Sequence, residues 1–157
     1  MTIIKLETYI NAPIERVFDL ARSIELHQLS AKKTNERAIA GRTKGLIELG
    51  ETVTWRGKHF GIYQNLTAQV TNFDPPYLFA DRMIKGAFST MDHHHIFERR
   101  GAGTKMTDIF EFSSPMGILG RLANCLFVKQ YMRKFILTKN KELKTFAEGD
   151  RWKEILK

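Results

Sequence analysis

The sequence predicts an α+β domain, in which a curved antiparallel sheet of six or seven strands wraps a long C-terminal helix and two short helices follow the first strand. Three observations carry this expectation. From Arg37 to Ser113 the residues alternate with a period of two, and turn residues interrupt them at regular intervals. After Ser114-Pro115 the apolar period changes to that of a helix. Ahead of both, one alternating run ends at Asn11-Ala12-Pro13 and is followed by two short amphipathic stretches.

In the first strand, Thr2 to Ile10, residues Ile4, Leu6, Thr8 and Ile10 share one face. Pro13 cannot donate to a ladder but suits the first turn of a helix, and Asn11 is expected to cap it. The helix from Ile14 to Ala21 directs Val17, Phe18 and Ala21 to the core, and a second is expected at about Ile24 to Ala31. Gly41, Gly45, Gly50 and Gly57 punctuate the early strands, including Glu51 to Trp55. Further strands are read at Asn65 to Phe73, Tyr77 to Ile84, Phe88 to Arg99 and Thr104 to Phe112. The last two are joined by a tight turn over Arg100 to Gly103. A single helix from about Met116 to Ala147 closes the chain, its first half apolar nearly all round (Ile118, Leu119, Leu122, Leu126, Phe127). Ile136, Leu143 and Ala147 continue it as a stripe.

The 157 residues, 43% of them hydrophobic, suffice for one core, so residues 1–157 are expected to form a single domain. No apolar run approaches the roughly 18 residues that span a bilayer, and the N-terminus has no basic leader before an apolar block. A lone Cys125 excludes internal disulfides and cysteine-rich zinc sites, which makes the cytoplasm the expected location. The net charge of +8 is spread along the chain rather than gathered into a patch. Binding to nucleic acid and stable insertion into a membrane are therefore not expected. An exposed sheet edge or the N-terminal helices leave a homodimer open.

A sheet gripping a helix leaves space between them, and parity points polar groups into it. His93, His95 and Phe97 share one face of their strand, and Met106, Asp108, Phe110 and Phe112 share one face of the next. Closing the hairpin at Arg100 to Gly103 places Phe97 opposite Met106 and His95 opposite Asp108. His94 points to the other face. A buried aspartate needs a hydrogen-bonding partner, and an imidazole supplies one. Three readings follow: a structural pair, recognition of a ligand's polar end by His93 or His95, or catalysis with His95 as a general base oriented by Asp108. No metal is expected, because no third strong ligand stands at a fixed spacing from His93-x-His95. Asp81 has the parity of Phe79 and Met83, which brings it to the polar group or leaves it in water at a strand end. Trp55 either lines the cavity or packs, and Cys125 reads as a small buried hydrophobe.

A set of motifs adds a resemblance. In order these are Ala12-Pro13 with Val17-Phe18, Asp74-Pro75-Pro76, Phe79 with Asp81, Gly86 with Phe88, and His93, His95 and Phe97-Glu98. Gly103-Thr104 with Met106 and Asp108, then Pro115 with Gly117 and Leu119-Gly120, complete it. As a set they resemble the START-like SRPBCC superfamily, within it a bacterial ligand-binding subgroup sometimes described as cell-division inhibitors. Met91 departs from that subgroup, which tends to carry tryptophan there. The resemblance implies a helix-grip fold and a small hydrophobic ligand, such as a lipid or polyketide-like molecule, without a cofactor. Combined with parity, it nominates His93, His95, Asp108, Asp81, Phe97, Phe110, Trp55, Leu122 and Leu126 as ligand-binding residues. The alternatives are a cyclase- or hydratase-type enzyme using His95 and Asp108 for proton transfer, and a regulatory interaction protein.

Overall fold

A computed structural model describes residues 1–114, 117, 119, 122 and 127–157. Seven strands form one sheet: β1 (Thr2–Ile10), β2 (Arg37–Gly41), β3 (Thr52–His59), β4 (Ile62–Asp74), β5 (Leu78–Lys85), β6 (Thr90–Arg100) and β7 (Gly103–Ser113). Their order is β1-β7-β6-β5-β4-β3-β2, and every pairing is antiparallel. The chain thus runs as a meander from β2 to β7, and β1 returns to cover the edge of β7. Register shifts between Val70 and Asn72, and again at Thr67 and Ala68, interrupt the β4–β5 ladder. Such bulges bend a strand and increase its twist, which a sheet needs in order to close around a helix.

Two short helices follow β1, α1 (Ile14–Ala21) and α2 (Ile24–Ser30), with one 3₁₀ turn at Lys32–Thr34. Their bounds agree with the sequence pattern to within a residue, but the cap of α1 does not. Pro13 holds the N-cap position without a side-chain hydrogen bond. Asn11 instead donates its backbone N–H to Glu148 Oε2 at 2.7 Å. The reason is tertiary: the C-terminal helix ends against this turn, and Lys144 Nζ also reaches the Tyr9 carbonyl at 2.7 Å.

The long helix, α3 (Lys129–Glu148), lies across β1, α1 and α2, and a last turn, α4 (Trp152–Ile155), folds back on α1. Ile136, Leu143 and Ala147 are buried as their spacing requires. The expected helical start near Met116 falls outside the described residues. Apolar character there does not mean burial: Leu119, Leu122 and Phe127 are 70%, 57% and 68% exposed. The face turned to the sheet is supplied by Val128, Met132, Phe135 and Ile136.

Three apolar clusters pack the concave side and leave a gap between them. The first joins α1 and the end of α3 to β5–β7 around Phe18, Phe79, Phe97, Met106 and Phe146. The second surrounds Ile4, Leu6, Phe110, Phe112 and Ile136, and the third lies under α2 around Ile24, Ile47, Val53 and Val70. Phe18 is the hub of the first, meeting Phe73, Phe79 and Phe97 edge-on at centroid distances of 5.6, 5.6 and 5.3 Å. Phe18→Ala should therefore cost about 3–5 kcal/mol, the usual range for emptying a buried ring position. Urea denaturation measures it, and a loss below about 1 kcal/mol would show that the three partner rings do not depend on Phe18.

Candidate functional site

Strand parity and register build the first half of the site. In β6 the side chains of Met91, His93, His95 and Phe97 point inward, and the neighbouring strands present Asp81 opposite His93, Phe79 opposite His95, and Asp108 opposite His95. Asp108 is 1% exposed and is the anchor of this group. Its Oδ1 accepts from His93 Nε2 at 2.8 Å and lies 3.1 Å from His95 Nδ1. Its Oδ2 accepts from Asn140 Nδ2 of α3 at 2.7 Å. The other nitrogen of His95, Nε2, lies 3.6 Å from Asp81 Oδ2.

Burial alone would raise the Asp108 carboxyl, but the hydrogen bonds from His93 and His95 outweigh it and hold the group well below the usual carboxylate range. Burial would likewise lower His95, yet the carboxylates of Asp108 and then Asp81 beside it raise it to about 8. His93 goes the other way, pushed down by burial and then by the charge on His95. At neutral pH His95 is therefore an imidazolium and His93 is neutral. That revises the sequence reading of His95 as a general base, because a group already protonated is a proton donor.

A cavity of about 380 Å³ lies between sheet, α2 and α3. Among the residues nominated from sequence, Trp55, Asp81, His93, His95 and Phe110 line it. Asp108 does not: the two imidazoles and Asn140 cover it, and it borders only a side recess of about 40 Å³. Phe97 is also absent from the wall, because it packs against Phe18 and Phe79 in the core. Leu122 is exposed, and Leu126 lies outside the described residues. Met91 lines the cavity where the resembling subgroup tends to carry tryptophan.

The cavity wall holds a second polar group that sequence reasoning missed. Glu36 is 6% exposed just before β2. It accepts from His27 Nε2 at 2.9 Å and from His59 Nε2 at 3.2 Å. His27 Nδ1 in turn accepts from Lys139 Nζ at 2.9 Å, and Tyr131 Oη donates to His59 Nδ1 at 2.6 Å. Trp55 stacks on His27 with centroids 3.7 Å apart. Burial and then the Lys139 charge push His27 down to about 4, so it stays neutral and accepts from the ammonium. Burial also lowers Lys139 itself, opposed by Glu36, Asp81 and Asp108.

The sequence does hold two signals for this group. Lys139 and Asn140 interrupt the apolar stripe of Ile136, Leu143 and Ala147 at a core-facing position, and a polar residue there needs a buried partner. Gly57 is the other signal. Its pattern reads as turn punctuation, but it lies inside β3, paired with Gln64. A Cβ at Gly57 would stand 2.5 Å from Glu36 Cγ, so the missing side chain is what admits Glu36 to the wall.

No protein-family description matches the chain, and no curated protein does. Solved structures do. A protein from Thermus thermophilus superposes with a TM-score of 0.75 at 20% identity, covering 98% of each chain. A START superfamily protein from Mycobacterium smegmatis gives 0.71 at 11%, over 93% of this chain and 97% of its own. The Zhui aromatase/cyclase from Streptomyces sp. R1128 gives 0.71 at 12%, over 94% and 93%. These likenesses establish the fold as a helix grip, a curved antiparallel sheet around a long C-terminal helix.

Two measurements check the site. Gly57→Ala should lose about 1–3 kcal/mol in chemical denaturation, as overpacking of a tight contact does, or expel Glu36. A variant as stable as the parent, with the His27 and His59 resonances unmoved, contradicts the close approach. In NMR titration His95 should lose its proton near pH 8 and His27 gain one only near pH 4. The raised His95 value adds stability that is complete below pH 6.5 and disappears as the pH rises through 8. By the usual conversion it amounts to about 2 kcal/mol. The depressed His27 value acts oppositely, costing stability as the pH falls from 6.5 towards 4. A His95 titration at or below 6.5 would overturn the assignment.

Proposed function

We propose that the chain binds a small, largely apolar molecule in the cavity between sheet and α3, with a hydroxyl or carbonyl oxygen of that molecule directed at His95 and Lys139. The cavity carries this reading. Its volume of about 380 Å³ falls in the range of about 300–1,000 Å³ occupied by small-molecule sites. The walls are largely apolar, with side chains such as Val70, Leu66, Met91, Phe110 and Phe135, and their polar groups include the two carboxylate–histidine clusters. His95, as an imidazolium, and Lys139, with one direct partner, both offer N–H groups to a ligand oxygen. The START-like fold and the named neighbours support a lipid, a polyketide-like aromatic or a molecule of similar build.

A second reading has one observation in its favour. A protonated imidazole facing an apolar cavity can deliver a proton to a bound carbonyl, and one structural neighbour is an aromatase/cyclase. In that reading His95 is the acid, Asp108 stabilises its charged form without touching substrate, and solvent returns the proton after transfer.

The test is native mass spectrometry of protein purified from its own host, followed by titration of 1-anilinonaphthalene-8-sulfonate as an apolar probe. One retained molecule or one saturable probe site per chain is expected. Ala68→Phe, which fills the wall, should abolish binding while the melting temperature holds. His95→Leu should weaken it about tenfold, the worth of one hydrogen bond. The reading fails if the folded chain retains nothing and shows no saturable site, or if Ala68→Phe binds like the parent. Incubating any retained carbonyl compound with the protein and following its conversion separates the two readings.

A further inference from the structure

We propose that Asp81, His93 and His95 form a binding site for a divalent first-row transition cation, open on one side to the cavity. Each of the three residues offers a ligand atom within 4.8 Å of the others. That separation alone is common among polar clusters, and what surrounds the trio here is not. Each histidine directs one ring nitrogen to the same oxygen of Asp108, His93 through Nε2 at 2.8 Å and His95 through Nδ1 at 3.1 Å. Asp108 is in turn held by Asn140. A buried carboxylate behind a ligating imidazole sets which nitrogen faces the ion and makes it more basic. Here one carboxylate does this for both rings.

The gap between Asp81 and His95 points the same way. At 3.6 Å, Oδ2 and Nε2 are too far apart for a good hydrogen bond. Two ligand atoms on a tetrahedral ion with bonds of about 2.1 Å stand about 3.4 Å apart, so the gap matches an edge of such a polyhedron. Among the described residues His95 is the one basic side chain within 4 Å of Asp81. A cation between them therefore displaces no lysine or arginine from a direct ion pair.

The three residues stand on paired strands, with Asp81 opposite His93 in the β5–β6 ladder, and the Phe79 ring stacks on His95 at 4.2 Å. The site is thus held by the sheet rather than by loops. Two imidazoles and one carboxylate suit zinc, cobalt or ferrous iron better than calcium or magnesium, which take oxygen ligands. All three residues line the cavity, so the remaining coordination positions face it and can take water or an oxygen of a bound molecule. Spacing along the chain hides the third ligand, because Asp81 arrives from another strand, at no fixed distance in sequence from the His-x-His pair.

A cation needs no organic molecule to bind, but it takes the His95 nitrogen without its proton, so it replaces the imidazolium that the apolar-ligand reading uses. The probe is Co²⁺ added to untagged, chelator-treated, full-length protein, followed by visible absorption and then by displacement with Zn²⁺. One Co²⁺ per chain is expected, with a dissociation constant of about 1 μM or tighter. Asp81→Asn and His95→Gln should each weaken binding at least tenfold, while their circular dichroism stays that of the parent. Asp108→Asn, outside the ligand set, should weaken it about 10–100-fold where it folds. His94→Gln on the outer face and His27→Gln in the other cluster should leave it unchanged. The proposal is overturned if the folded chain shows no saturable Co²⁺ site in the micromolar range. It is equally overturned if Asp81→Asn and His95→Gln both bind as the parent does, because the ion then sits elsewhere. Probe binding by the chelator-treated chain reports the apolar cavity separately, so failure of one claim leaves the other readable.

Discussion

Asp108 is the group on which the site depends. An ionised carboxylate at 1% exposure is tolerable only if its lone pairs are taken up by donors. Its three donors come from two elements: His93 and His95 from β6, and Asn140 from α3. The same bonds tie the sheet to the helix at mid-length and fix the orientation of both imidazoles. They also make His95 cationic at neutral pH. Helix position, histidine orientation and cavity charge thus share one cause.

Glu36 repeats this arrangement with different residues. It too is a buried acid held by two imidazoles, and α3 again contributes, through Lys139 by way of His27 and Tyr131 by way of His59. The helix therefore meets two carboxylate–histidine clusters, and His27, His93, His95 and Lys139 border one small recess beside it. Lys139 belongs to both neighbourhoods, bonded to His27 and within the field of Asp81 and Asp108. Replacing such clusters with well-packed apolar residues is often neutral or stabilising, so their presence is weak evidence for a purely structural role. What they provide is a set of fixed donors and acceptors around an apolar space.

Much of this was legible in the sequence where one rule decided the outcome. Period-two alternation and a two-residue turn at Gly101-Ala102 determine the β6–β7 register. That register brings Phe97 opposite Met106 and His95 opposite Asp108. The rule says which face a side chain takes, but not how deep it sits. Hence Asp108 and Phe97 have the expected parity, yet one is covered by its own partners and the other is absorbed by the Phe18 cluster. Glu36, His27 and His59 were illegible for another reason. They lie on a loop, a short helix and a strand end, and only tertiary packing brings them together. Gly57 carried that information as a missing side chain, which a sequence pattern reads as a turn. Leu122 failed because apolar composition gives no direction when the helix has two sides and the sheet accepts one.

The cavity itself imposes the remaining constraint. The space of about 380 Å³ is not sealed from solvent, so water enters it when nothing else is bound. Water is well held at the polar clusters, where several partners are available, and poorly along the apolar wall. An apolar body with an oxygen at one end satisfies both, because it displaces the poorly held water and keeps the polar contacts. The distribution of polar groups, more than the volume, is thus what the proposed amphipathic ligand rests on.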